Sequence, residues 1–323
     1  MSAPRIGVLV PKALPVPEFL AFAVQVESSG VDGVWLAEDC FTAAGPTMAA
    51  MILERTERVQ VGLGILPAAV RNVAFTAMEI ATLANAHPGR LIVGIGHGMP
   101  EWMKQVGAFP AKPLAALVET ISVLRQLLAG ATVSLRGEHI QLDNVVLDQP
   151  PLIAPPVFAG VRRARSLKAS GQVADGTILA EPSTPEYVRA ARRLIEHGRT
   201  DSSQSHAIVA YNWFAPKDDD SSRALRAAVA AQLDPTLEAQ LGVTTFGAQL
   251  LDLAREQNDP SGRWIPEAWL ERLAIWGSPD DAIARIAELA TSGADWCVLA
   301  PPPGTDTDRF AQSISVVAQA VRS

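Results

Sequence analysis

Glu38, Asp39 and Cys40 follow directly on the apolar run Gly33–Ala37. Two carboxylates and a thiol leaving a hydrophobic segment together are groups that could hold or move a proton at the rim of a pocket. A second cluster, Gly94-Ile95-Gly96-His97-Gly98, follows the apolar Leu91–Val93. Glycines let backbone approach a flat ring or a phosphate closely, and His97 adds an imidazole. The spacing is not the Gly-x-Gly-x-x-Gly of a dinucleotide fold, so these glycines could equally serve to turn the chain. Gly62-Leu63-Gly64-Ile65 reads as a bulge in a strand. Gly160-Val161-Arg162-Arg163 stands between an extended run and a helical one. A helix N-terminus there would offer unpaired N–H groups to an anion, and guanidinium groups could add bidentate contacts. Solvated arginines on a helix face are the competing reading. Glu181 ends another short apolar run, and Trp102 follows the glycine cluster, where an indole could wall a substrate pocket. Trp269 and Trp276 are spaced as in helix packing. Lys12 is the lysine placed for a Schiff base, should the chemistry be that of an aldolase.

These residues fall where one predicted element gives way to the next. Apolar runs at Arg5–Val10, Gly33–Ala37, Val59–Leu66, Leu91–Ile95, Val157–Ala159, Gly176–Leu179, Ile208–Phe214 and Trp296–Leu299 alternate with segments of helical period. Asn72 is placed to cap a helix that Pro88-Gly89 stops. Such alternation implies a parallel sheet with crossover helices. Eight units of this kind close into a (β/α)₈ TIM barrel, with a doubly wound sheet as the competing topology. In a barrel the C-terminal strand ends carry the chemistry, and there the candidates lie. Residues 131–149 alternate apolar and polar side chains around Gly137 and Asn144, as a β-hairpin insertion would. Residues 217–274 read as a helical insertion before the last strand, and Met99–Pro113 as a loop. The chain, 1–323, is expected to form one barrel domain.

A formal charge of −7 gives no basic face for nucleic acid. Cys40 and Cys297 are far apart, and the five histidines lack the pairing of a metal site, so no metal is expected. Pro11, Pro15 and Pro17 interrupt the first apolar stretch, and no run is long enough to cross a bilayer. A cytoplasmic enzyme without membrane contact is the expectation.

At VDGVWLAEDCF (31–41), VQVGLGILPAAVRN (59–72), ANAHPGRLIVGIGHG (84–98), VFAGVRRARSLKASGQVADG (157–176) and WGSPDDAIARI (276–286), the chain resembles the luciferase-like monooxygenase superfamily of (β/α)₈ barrels. It looks closest to the deazaflavin-dependent branch, which includes methylenetetrahydromethanopterin reductase. The resemblance implies that Asp39 lies by the ring of the cofactor, coenzyme F420. It implies a non-prolyl cis peptide at Gly64-Ile65 that forms a bulge backing that ring. Gly96, His97 and Gly98 would line the ribityl side, and Gly160, Val161, Arg162 and Arg163 the phosphate. This chain departs from the branch at Cys40, where its dehydrogenases commonly carry a histidine. It departs again at Met99 and Trp102, where the sugar-phosphate enzymes carry Glu and Asn.

The function expected from the resemblance is hydride transfer between C5 of coenzyme F420 and a small organic substrate. Cys40, His97 and Glu38 are the candidate catalytic residues, and Trp102 and Glu181 the candidate pocket residues. An FMN-dependent monooxygenase using O₂, or a flavin-binding barrel without turnover, are the alternatives. A homodimer is expected, with Val73, Phe75 and Met78 as a seam.

Overall fold

The computed structural model describes residues 4–201, 203–257 and 259–322. Short runs of aliphatic and aromatic residues form strands β1 (Arg5–Leu9), β2 (Gly33–Leu36), β3 (Gln60–Pro67), β4 (Leu91–Gly96), β5 (Val133–Arg136), β6 (Gln141–Val145), β7 (Val157–Gly160), β8 (Gly176–Leu179), β9 (Ala207–Pro216), β10 (Ile275–Gly277) and β11 (Trp296–Ala300). Eight of them pair in parallel around a closed ring in the order β1-β2-β3-β4-β7-β8-β9-β11, with β11 returning to β1. This is the TIM barrel that the alternation of strands and helices implies. β5 and β6 pair only with each other, antiparallel.

The barrel interior explains the glycines. With a period of two along each strand, one face of a barrel strand points inward. The inner side chains Trp35, Phe158, Tyr211 and Trp296 are large, and each meets a glycine, on an adjacent strand for Trp35 and Phe158, on β2 for Trp296 and on β3 across the barrel for Tyr211. A Cβ on Gly62 would come within 2.2 Å of the Trp35 ring, one on Gly33 within 2.8 Å of Trp296, and one on Gly176 within 2.7 Å of Phe158. Trp35 meets Tyr211 and Trp296 edge to face, with centroids 5.7 and 5.6 Å apart. The interior is thus filled by a few aromatic rings against bare backbone.

Helices cover the outside with one apolar stripe each. The helix Pro185–Glu196 buries Tyr187, Val188, Ala191 and Ile195, and the Thr184 hydroxyl accepts from the Tyr187 amide to start it. Asn72 caps Val73–Ala86 as its position suggests, accepting from the Ala74 amide at 2.9 Å.

Some local expectations are corrected. Met99–Pro113 is not all loop, because Pro100–Gln105 forms one and a half turns of helix that bury Met103. Trp276 lies on β10, which pairs with the outer end of β9, so it does not share a helix with Trp269. Its indole packs instead in a second apolar cluster with Leu225, Phe246 and Leu270. Val73 is buried, which leaves Phe75 and Met78 as the exposed residues of the expected seam.

Candidate functional site

Because all eight barrel strands run in parallel, the segments after β2, β3, β4, β7 and β8 open on one end of the barrel. Every candidate from the sequence except the remote tryptophans lies there.

After β2, Glu38 is nearly buried and fully engaged. Arg71 donates to both of its oxygens, at 2.5 and 2.6 Å, and the Gly45 amide donates to Oε1 at 2.9 Å. A carboxylate held in this way fixes the turn between β2 and the helix Gly45–Arg55, and three of its roughly four acceptor positions are already used. Asp39 pairs with Lys12, which carries the segment after β1 to the same side and occupies the amine considered for a Schiff base. Cys40 is half-buried, and its thiol is pushed up, first by burial and then by the charges of Glu38 and Asp39. It is protonated near neutrality, and a thiol in that state is a poor base. Cis peptides occur at Cys40–Phe41, Gly64–Ile65 and Glu181–Pro182.

The Gly64–Ile65 bulge breaks the register of β3 against β4 between Leu63 and Leu66. Both residues are half-exposed at the mouth. Below Gly64 stands the Tyr211 hydroxyl, 2.1 Å from where a Cβ would be. That hydroxyl is buried, has no hydrogen-bond partner, and is held protonated by burial and by the nearby charge of Glu181. The Ile65 side chain reaches across to β4 and β7. A Cβ on Gly96 would meet it at 2.8 Å and one on Gly160 at 2.3 Å. Gly96 and Gly160 thus leave room for Ile65, and Gly64 for the Tyr211 hydroxyl; of the three, Gly64 and Gly160 are half-exposed and Gly96 is buried. Of Gly94, Gly96 and Gly98, Gly98 alone needs its residue type for backbone angle, with φ of +70° as the chain turns out of the strand.

His97 is carried outward from β4 to the start of the helix Ala164–Val173, where Nε2 lies 3.3 Å from Ser166 Oγ. Nδ1 is buried without a partner. Burial lowers the imidazole pKa, opposed by the Pro113 backbone, so the ring is neutral at neutral pH. The helix it touches begins just after Arg163. Val161 is buried, and its amide bonds across to the Ile178 carbonyl at 3.2 Å. The Tyr187 hydroxyl donates to the Arg162 carbonyl at 2.8 Å, which pins the turn from below. Among the described residues, no carboxylate pairs with Arg162, Arg163 or Arg165.

Across the mouth, Glu181 follows β8. Gln232 donates to Glu181 Oε1 at 3.1 Å and accepts from Trp213 Nε1 at 2.9 Å. The turn that carries Glu181 is further held by Asn212 against Ser183 and by Gln240 Nε2 on the Ala180 carbonyl. Gln232, Gln240, Arg71, Ser166 and Tyr211 escape sequence reading. Each acts through a contact between distant segments, and only the alternation along β9 could have put Tyr211 inside the barrel.

The arrangement fits a flat, anionic cofactor. Gly64 and Gly160 are half-exposed around Ile65, two buried polar atoms (Tyr211 Oη and His97 Nδ1) stand without partners, and Arg162, Arg163 and Arg165 have no carboxylate partner. No group of three or more potential metal ligands occurs among the described residues. The cavity of about 210 Å³ lined by Ala68–Val73, Thr120 and His139–Gln141 lies between the segment after β3 and the hairpin, away from the Gly160 turn and from Glu181.

Comparison with known proteins agrees with this architecture. Residues 3–295 match the family model of luciferase-like monooxygenases. The 5,10-methylenetetrahydromethanopterin reductase of Archaeoglobus fulgidus is 27% identical over 302 residues, which cover 89% of this chain and 90% of that one. Among solved structures, the coenzyme F420-dependent tetrahydromethanopterin reductase from Methanopyrus kandleri superposes with a TM-score of 0.82, at 22% identity over 98% of both chains. A coenzyme F420-dependent secondary alcohol dehydrogenase, in complex with an adduct of that coenzyme and acetone, gives 0.76 at 19% identity over the whole of both chains. These two structures share the fold. With its closed parallel barrel, its bulge at Gly64–Ile65 and a family match over most of its length, the chain belongs to the luciferase-like monooxygenase family.

Proposed function

We propose that the protein is a coenzyme F420-dependent oxidoreductase of the cytoplasm, acting on a small organic carbonyl or imine compound. The observation that carries this reading is the similarity to methylenetetrahydromethanopterin reductases along nine-tenths of both chains. The mouth of the barrel supports it independently, with the half-exposed Gly64–Ile65 bulge beside Gly160 for a ring and unpaired positive charge for a phosphate.

In this reading Asp39 and the Gly64–Ile65 bulge would flank the ring. Gly96, His97 and Gly98 would follow the ribityl chain, and Gly160, Val161, Arg162 and Arg163 would receive the phosphate. Bound there, the deazaflavin would supply two-electron hydride exchange at C5. The protein's own work is orientation, exclusion of water and proton handling. For the last, Glu181 is favoured over Glu38 and Asp39, because those two are neutralised by Arg71 and Lys12 while Glu181 accepts from the neutral amide of Gln232 and lies near the Tyr211 hydroxyl. Gln232 and Trp213 are then positioning residues. His97, neutral and tied to Ser166, serves the phosphate helix, and Cys40 keeps its proton. Trp102, half-buried on the short helix after β4, would wall the substrate pocket. A second copy of the chain would pair through the exposed Phe75 and Met78.

Titration of the purified protein with coenzyme F420 and with FMN, followed by fluorescence quenching, tests the cofactor. Saturable quenching of coenzyme F420 is expected, with FMN at least tenfold weaker. Tight FMN binding without coenzyme F420 binding would turn the reading into an FMN monooxygenase.

A further inference from the structure

Tyr211 is one of two tyrosines in the chain, and it stands inside the barrel, 4% exposed. Among the described residues nothing hydrogen-bonds to its hydroxyl. A buried hydroxyl without a partner costs free energy, and a phenylalanine would fill the same space without that cost. The hydroxyl therefore calls for a partner that is met at some other stage of the protein's work.

Its surroundings point to one group. On β9, Ala210 pairs with Leu179 at the end of β8, and Asn212 exchanges hydrogen bonds with Ser183. Tyr211 thus stands between two residues that are tied to either side of the turn carrying Glu181. Trp213, two residues on and so on the same face of β9, donates to Gln232, which donates to Glu181 Oε1 at 3.1 Å. Among the described residues, Glu181 is the one charge that acts on the Tyr211 hydroxyl. On its other side the hydroxyl lies under Gly64, 2.1 Å from where a Cβ would be. It therefore stands between the bulge that would back the ring and the carboxylate that would move the proton.

Glu181 is half-exposed and accepts from one protein donor, the Gln232 amide, so water can serve its other lone pairs while the mouth is open. A ring seated on the Gly64–Ile65 bulge would exclude that water, and a carboxylate that loses water needs another donor in its place. We propose that Tyr211 is a positioning residue for Glu181, its hydroxyl donating to the carboxylate once the cofactor ring covers the mouth. This rests on the proposed function for the place of the ring and for Glu181 as the proton-handling group. One hydrogen bond from Gln232 leaves the carboxylate free to turn. A second, from a ring locked edge to face against Trp35, fixes its plane toward the substrate.

Carbon-13 labelling of the tyrosine Cζ atoms tests this by NMR, because a chain with two tyrosines gives two signals. Tyr211→Phe identifies the Tyr211 signal as the one that disappears. On saturation with coenzyme F420 that signal is expected to move downfield, as a phenol does when it donates to a carboxylate. Glu181→Ala, at a half-exposed position, should abolish the movement, and Glu181→Gln, which keeps an acceptor without the charge, should shrink it. Fluorescence quenching on the same samples shows that each protein is loaded. Equal movement in the parent and in either variant overturns the proposal, since the cofactor would then act on the phenol directly. A signal that stays in place while coenzyme F420 is quenched removes the positioning role and leaves the cofactor assignment standing. No quenching by the parent removes the cofactor assignment, and the proposal falls with it.

Discussion

Gly160→Ala puts a Cβ 2.3 Å from Ile65 Cγ2 and 3.4 Å from Ile65 Cβ. Ordinary carbon contacts begin near 3.5 Å, so the methyl must retreat by more than 1 Å. The same side chain already lies over the backbone of Gly96 and Gly94, 2.8 and 3.2 Å from where a Cβ on each would be. Overpacking of this kind costs about 1–3 kcal/mol. With an unfolding entropy of roughly 2.1 cal/mol/K per residue, 323 residues lose about 1.5 °C of melting temperature per kcal/mol, so Gly160→Ala should melt about 1.5–4.5 °C lower. A double-mutant cycle isolates the cause. Ile65→Ala removes the obstructing methyl, and Gly160→Ala added to it should cost no more than about 0.5 kcal/mol. Thermal melts of the four proteins read this directly. If Gly160→Ala is neutral, or if the two substitutions add, then Ile65 does not fill the space that the glycines leave, and the packing described around the bulge is wrong.

Other consequences can be measured on the same protein. His206 is buried and bonded to Thr177, with its pKa lowered to about 4 by burial and by Arg199 and Arg192. Below its ordinary value of about 6.5 the unfolded chain takes up a proton that the fold refuses. Its contribution is therefore intact above pH 6.5 and is lost as pH falls toward 4, on the order of 3 kcal/mol in all. Urea midpoints measured from pH 7 to pH 4 should fall accordingly, and His206→Gln should flatten the slope; an unchanged slope contradicts the assignment. Tyr211→Phe removes a buried hydroxyl that has no partner, a group that costs about 1–3 kcal/mol when unpaired. The cofactor-free variant should melt higher than the parent, and a lower melting temperature would reveal a partner that the structure does not contain. Cys40 carries a raised pKa and Cys297, fully buried, one of about 12. Alkylation of the native protein should stop at one thiol, stay slow at pH 7 and accelerate only above pH 9. Fast labelling at pH 7 would restore Cys40 as a thiolate.

The barrel was legible because each of its eight strands is an apolar run cut off by glycine, proline or charge, a signal that survives without tertiary knowledge. β10 was not, since Ile275–Gly277 is too short to show any period and extends only the outer end of β9. The helix Pro100–Gln105 shares that shortness. At the site, Glu38, Asp39 and Cys40 stood out because polar groups followed an apolar run, but their roles did not. Arg71, which occupies Glu38, is 33 residues away, and Gln232, which holds Glu181, is 51 residues away. Such pairs are made by the fold and leave no local trace. The glycines misled in an instructive direction. Gly94 and Gly96 invite a cofactor-binding interpretation, while the structure uses them as room for Ile178 and Ile65. Gly64, Gly98 and Gly160 remain half-exposed, and Gly160 also serves as room for Ile65.

The central claim is one of place, and a crystal structure of the protein with coenzyme F420 tests it most directly. The account predicts the ring between Asp39 and the Gly64–Ile65 bulge, with the phosphate against Gly160–Arg163. A ring bound in the cavity between the hairpin and Arg71, or a phosphate that avoids the Gly160 turn, would contradict it.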